Sequence, residues 1–263
     1  MREMETVTPS GPQAHCRSGK GVIGALAAST LALSACTTGS MGDEITNDPE
    51  PALSVEQSPI MNGHNFSKSQ ALLTMEVLAV APTSQAGYAP DSLRIDQDRP
   101  ASDAGWADPS LPNDHCTVSE ATLARDGVAV GVDAKTCEIS GGRWFDPLSG
   151  QTVGRDDIAT KPFLPTERAW ASGASQWRDR QFVIYRDSPE AVMAISDESY
   201  AERGQRGPAE WRPTDESLWC GYALRWVSEK NTYGLFFESQ AEADALTEML
   251  NTCPDEGFAN PSV

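Results

Sequence analysis

Histidine is nearly absent: the 263-residue chain has three, His15, His64 and His115, and none follows Cys116. Imidazole is the side chain that changes charge near neutral pH, so the long C-terminal stretch lacks that kind of general base and metal ligand. No CxxC pair and no HxxxH spacing occurs, which removes the usual zinc frameworks. No apolar run reaches the 18 or so residues of a membrane-spanning helix. Positive charge is also scarce, with 20 Lys/Arg against 38 Asp/Glu and a formal net charge of −18. A chain this acidic repels phosphate backbones, because nonspecific nucleic-acid binding rests on Lys and Arg neutralising phosphates.

What is present begins with an export signal. Arg17 and Lys20 precede Gly21–Ala35, an uncharged run of small and apolar residues, the basic and apolar regions of a secretory leader. The run ends in Leu33-Ser34-Ala35-Cys36, which resembles the lipobox of bacterial lipoproteins. That resemblance implies cleavage before Cys36, a diacylglyceryl group on its sulfur, and a cell-membrane address on the extracytoplasmic face. Two acyl chains suffice for stable anchoring. The stretch from Thr37 to Pro51 is rich in Thr, Gly, Ser, Asp, Glu and Asn, as a flexible spacer would be. The expected organisation is a leader at 1–35, a tether at 36–66, one domain at 67–253 and a disordered tail at 254–263.

With Cys36 lipidated, the mature chain keeps Cys116, Cys137, Cys220 and Cys253. An even number in an oxidising compartment points to two disulfides. Three connectivities are open, and Cys116–Cys137 with Cys220–Cys253 is favoured because each pair brackets one local segment. A loop of about 20 residues closed this way gains roughly 3 kcal/mol in the chain-entropy model.

Along the domain, helical spacing predicts a helix over 67–81, capped by Ser67 or Ser69, and a short one over 119–125 capped by Ser119. Tyr88, Leu93 and Trp106 are expected to pack on the core. Strands are expected at 127–132 and 137–145, closing at the turn Asp146-Pro147-Leu148-Ser149-Gly150, with a short third strand in 151–154. Further helices are expected at 167–171, 177–185, 218–233 and 241–250, a strand at 191–195, and a helical turn at 208–212. The fold class is α+β.

Several strings then resemble one family. They are Gly142-Arg143-Trp144-Phe145-Asp146-Pro147-Leu148-Ser149-Gly150, Ala169-Trp170-Ala171-Ser172-Gly173-Ala174-Ser175-Gln176-Trp177 and Arg206-Gly207-Pro208-Ala209-Glu210-Trp211. Arg225-Trp226-Val227 with Lys230 and Tyr233-Gly234-Leu235 completes them. Together they resemble the HNH-type nuclease domain at the C-terminus of GmrSD modification-dependent restriction enzymes and in secreted Gram-positive proteins. The likeness spans roughly residues 68–253. It implies an HNH-like ββα-metal core with added helices, two local disulfides, one divalent metal and a neutral histidine base acting on a phosphodiester.

The chemical positions depart from that pattern. The family's Asp-His pair falls at or beside Lys161 and Pro162, its Asn at Tyr200, its Lys at Arg203 and its Asp at Gln205. Lysine does not ligate a metal as a carboxylate does, and proline has no side-chain proton acceptor. His115 beside Cys116 reads as a surface residue, and Asp156-Asp157 as a solvated turn. Trp144, Trp170, Trp177, Trp211, Trp219 and Trp226 read as core, not as a stacking surface. Residues 116–253 carry 14 Lys/Arg against 22 Asp/Glu, and a local basic cluster from Arg178, Arg180, Arg186, Arg203 and Arg206 is conceivable. The expectation is a degenerate, inactive domain without a metal or other cofactor, tethered to a membrane and binding an envelope protein or glycan. The alternative is a surface DNA endonuclease using a divalent metal on non-standard ligands.

Overall fold

The computed structural model describes residues 52–53, 66–104, 111–186 and 188–254. The expected leader, Cys36, most of the expected tether, His64, Trp106 and the expected tail beyond 254 lie outside the described residues.

The chain is α+β, with small antiparallel sheets and local disulfides. Helix α1, Lys68–Val77, opens at Ser67, whose hydroxyl accepts from Gln70 N while the Gln70 side chain caps back onto Ser67 N. It stops earlier than helical spacing predicts. Beyond Val77 the backbone is used by the 235–238 segment: Phe237 N donates to Ala79 O at 2.9 Å and Ala81 N to Phe237 O at 3.0 Å. Those long-range bonds win over propensity. Helix α2, Val118–Asp126, starts one residue before the expected span, because Thr117, not Ser119, is its cap and Glu120 completes the capping box.

Strands β1, Gly127–Val132, and β2, Ile139–Phe145, form the expected hairpin, and β3, Thr152–Val153, joins β2 antiparallel after the 146–150 turn. The hairpin closes over Trp144, which is fully buried and donates to Leu123 O at 2.9 Å. Two glycines make room for that indole. A Cβ at Gly127 would lie 2.6 Å from Trp144 Nε1, and one at Gly142, whose φ is +85°, 2.8 Å from the ring edge. The disulfide Cys116–Cys137 ties the start of α2 to the hairpin, and Cys220–Cys253 ties two later helices, both as favoured from spacing.

Strand β4, Ile158–Pro162, was not expected. It pairs antiparallel with β5, Val192–Ser196, in the register Lys161↔Met193 and Pro162↔Val192. Between them run α3, Thr166–Ala171, and α4, Asp179–Arg186. Directly after β5 comes α5, Asp197–Arg203, also unexpected. Then α6, Trp219–Thr232, runs through the main core and packs on α7, Gln240–Leu250, and on α1. Residues 220–227 of α6 are buried without a break, so this helix is enclosed on every side. Around it sit Phe163, Trp177, Tyr185, Phe237, Leu246 and Met249. Each such side chain, fully buried, stabilises by roughly 1.5–3 kcal/mol. Leu93 is in this core, Tyr88 stands half-buried against Trp170, and Trp144 and Trp226 are fully buried. Trp170 and Trp219 are only partly covered.

Candidate functional site

Two antiparallel strands followed at once by a helix, β4–β5–α5, bring together the residues singled out from the sequence. The unit is anchored from below by Asp146. Its carboxylate is completely buried and accepts from Leu148 N at 2.9 Å, from Ser196 N at 3.3 Å and from the hydroxyls of Ser196 and Ser199. Ser196 in turn caps α5 by accepting from Ser199 N at 3.2 Å. One buried carboxylate thus welds the 146–150 turn to the start of α5. On the other side Asp126 accepts from Ala194 N at 2.9 Å, fixing β5 to the end of α2.

On this frame Lys161 and Pro162 end β4, and Tyr200 and Arg203 lie one turn apart on α5. The structure brings all four together. The Tyr200 ring centroid is 5.4 Å from Lys161 Nζ and 5.4 Å from the Arg203 guanidinium carbon, within the range of cation–π attraction. Lys161 also pairs with Asp197 at 2.7 Å. Arg203 is fully buried and donates from Nη1 to Phe163 O at 2.6 Å, with a longer contact from Nη2 to Pro162 O at 3.5 Å. Burial pushes its guanidinium below the ordinary arginine value, opposed chiefly by Tyr222 and Tyr200. Arginine nonetheless keeps its proton, so a cation is sealed here against carbonyls and aromatic faces. Its guanidinium also lies 5.8 Å from the Phe163 ring, as does that of Arg225.

The neighbouring positions have structural tasks. Gln205 Oε1 accepts from Glu167 N at 3.1 Å, serving the start of α3, where Pro165 offers no side-chain cap. Glu210 Oε2 accepts from Gly207 N at 3.1 Å and closes its own turn. His115 is exposed; its ring meets Asp114 and the Lys135 carbonyl, and its backbone N donates to Asn113 Oδ1 at 3.1 Å. Asp156 and Asp157 stand on an exposed turn, as expected. They line a cleft of about 520 Å³ that also receives Asp197, Glu198 and Glu202. Among the described residues no group of three or more His, Cys, Asp or Glu is arranged to hold a metal ion. The basic cluster that the sequence left open is not assembled. Arg203 is interior, and the Arg206 guanidinium is engaged by the Arg203 and Glu202 carbonyls, while Arg178, Arg180 and Arg186 are exposed.

A second charged constellation, not singled out from the sequence, joins α3, α6 and α7. Lys230, with no exposed side-chain surface, pairs with Glu242 at 2.8 Å and approaches Glu238 at 4.0 Å. Arg168 bridges Glu238 at 3.1 Å and Glu167 at 3.3 Å. Trp226 Nε1 donates to Glu242 at 2.7 Å. Lys230 and Trp226 belong to one of the family-like strings, which was the available signal.

Among the described residues, no helix is long and apolar enough to cross a membrane. No protein-family model matches the chain, and no solved structure matches it significantly. A protein of Arthroderma benhamiae described as an uncharacterized secreted protein is 37% identical over 141 residues, covering 52% of this chain and 68% of the relative. At that identity and coverage, the chain belongs to the same family as this uncharacterized secreted fungal protein.

Proposed function

We propose that this chain is an extracytoplasmic lipoprotein, held by lipid on Cys36, whose domain is an HNH-like frame turned from catalysis to binding. The observation that carries the reading is the Lys161–Tyr200–Arg203 stack. The order β4–β5–α5 is what a ββα-metal core requires, and the resemblance sets the family's Asp, His, Asn and Lys on Lys161, Pro162, Tyr200 and Arg203. Instead of ligands for a cation, that spot carries two cations and a phenol ring. A divalent ion brought there would meet two cations, and the carboxylate at the spot, that of Asp197, is already taken by Lys161 at 2.7 Å. The adjoining cleft, with Asp156, Asp157, Asp197, Glu198 and Glu202, opposes a polyphosphate substrate electrostatically. The secreted relative supports an address outside the cell, and the Leu33–Cys36 string supports the lipid anchor. The partner is an envelope protein or glycan.

Incubating the purified chain with supercoiled plasmid and Mg²⁺, Mn²⁺ or Zn²⁺ tests the loss of catalysis. No nicking above a metal-only control is expected. Metal-dependent nicking abolished by a substitution within 67–253 would overturn it in favour of a surface endonuclease with non-standard ligands.

A further inference from the structure

Helix α4 has an inner and an outer face of different chemistry. Phe182 and Tyr185, three residues apart, turn inward onto Trp177, with ring centroids 5.6 and 5.4 Å from it, and Tyr185 is fully buried. The opposite side carries Arg180, Val183 and Ile184, neighbours on a helix at i, i+3 and i+4, all exposed. Val183 keeps 42% and Ile184 52% of its surface open to solvent. Arg178, one residue before the helix, is exposed as well. Its backbone opens α4: the Arg178 carbonyl accepts from Gln181 N at 2.8 Å, and Gln181 Oε1 accepts from Arg178 N at 3.2 Å. Among the described residues neither the Arg178 nor the Arg180 guanidinium has a hydrogen-bond or ion-pair partner. Two uncommitted cations beside two open aliphatic side chains stand out on a chain whose formal net charge is −18. Water answers only the cations of such a face. A layer of anionic headgroups answers both halves, since guanidinium groups fork onto phosphates and aliphatic groups enter the boundary with the acyl chains.

We propose that the outer face of α4 seats this domain on an anionic phospholipid surface, with Arg178 and Arg180 on lipid phosphates and Val183 and Ile184 in the boundary beneath them. The inference rests on the lipid anchor proposed for Cys36. Thirty residues separate Cys36 from Phe66, where the described 66–104 stretch begins. Even fully extended they span about 100 Å, so the anchor keeps the domain beside the bilayer and a weak contact is enough to orient it. Charge selects the face. An anionic surface repels acidic parts of the domain, such as the cleft of Asp156, Asp157, Asp197, Glu198 and Glu202, and draws in Arg178 and Arg180.

Cys116, Cys137, Cys220 and Cys253 are held in disulfides, and Cys36 is taken by lipid on the proposed reading, so a cysteine introduced on α4 is the single free thiol of the mature chain. The lipoprotein carrying Ile184→Cys, labelled with a polarity-sensitive fluorophore, is reconstituted into phosphatidylcholine vesicles with and without phosphatidylglycerol. Co-flotation reports the anchor and the label reports the contact. With phosphatidylglycerol present, the label at 184 is expected to shift to the blue and to be quenched by nitroxide-bearing lipid, while a label at Asp156→Cys stays in water. Adding Arg178→Gln and Arg180→Gln should weaken the contact equilibrium about 30-fold, each arginine near an anionic surface contributing about fivefold. High salt should weaken it in the same direction without those substitutions. A chain that does not co-float overturns the anchor and this inference with it. A chain that co-floats with its 184 label still in water, or with an equal shift in phosphatidylcholine alone, overturns the docking face and leaves the anchor standing. A blue shift that grows with protein concentration in the absence of vesicles overturns it in favour of a second copy of the chain.

Discussion

Two junctions in this domain bury positive charge, and they do it in opposite ways. At the α6–α7 seam, Lys230 is met by Glu242 at 2.8 Å and Arg168 by Glu238 at 3.1 Å, so charge answers charge. At the β4–α5 junction, Arg203 is equally buried, yet its hydrogen-bond partners are the Phe163 and Pro162 carbonyls and its neighbours are the Tyr200 and Phe163 rings. The first arrangement is a structural ion-pair network whose members fail singly. In the second, two cations and aromatic rings pack on one another, and on the proposed reading they fill ground where a ββα-metal frame would hold acidic and imidazole ligands. Burial alone does not tell these apart; the partners do.

The contrast can be broken by substitution. Lys230→Ala leaves Glu242 without its cation and Glu238 with Arg168 alone in a closed setting, and breaking such a buried pair costs about 3–5 kcal/mol. Arg203→Met loses charge-assisted bonds to carbonyls but also removes an expensive desolvated cation, so a smaller loss of about 1–2 kcal/mol is expected. Urea denaturation of both variants measures the difference. Equal losses would mean that the buried Glu229, whose charge already acts on Arg203, compensates it as fully as Glu242 does Lys230, and the two junctions would then be of one kind.

Much of the fold was legible because it is written locally. The hairpin of Gly127–Val132 with Ile139–Phe145, its 146–150 turn, both disulfides and the long α6 follow from strand alternation, turn residues and cysteine spacing. The pair β4 and α5 was not legible. Ile158–Pro162 is short, polar at Thr160 and Lys161, and ends in proline, so no period marks it as a strand. Its pairing with Val192–Ser196 joins residues 30 to 38 apart in sequence and is a tertiary fact. Asp197–Arg203 has no apolar stripe. It is a helix because Ser196 caps it and the buried Asp146 carboxylate orders Ser196 and Ser199. At the site, residue identities told which chemistry was missing from Lys161, Pro162 and Tyr200. They did not tell that Arg203, one member of a basic cluster the sequence left open, turns inward, since sequence alone does not reveal which side of α5 faces the core. The Lys230–Glu242–Glu238–Arg168 network was missed because its members are spread over three helices and the segment joining two of them.

The most direct measurement of the central claim, that the metal position of an HNH-like frame is filled, is the thermal stability of the chain with and without Mg²⁺, Mn²⁺ and Zn²⁺, beside the triple variant Lys161→Asp, Pro162→His, Tyr200→Asn. An ion bound only by the folded state raises the unfolding temperature. No shift is expected for the wild-type chain, and a concentration-dependent upward shift for the variant, which restores an acidic, an imidazole and an amide ligand to one spot. A metal-dependent upward shift in the wild-type chain that is lost on substituting a residue of β4 or α5 would contradict the claim.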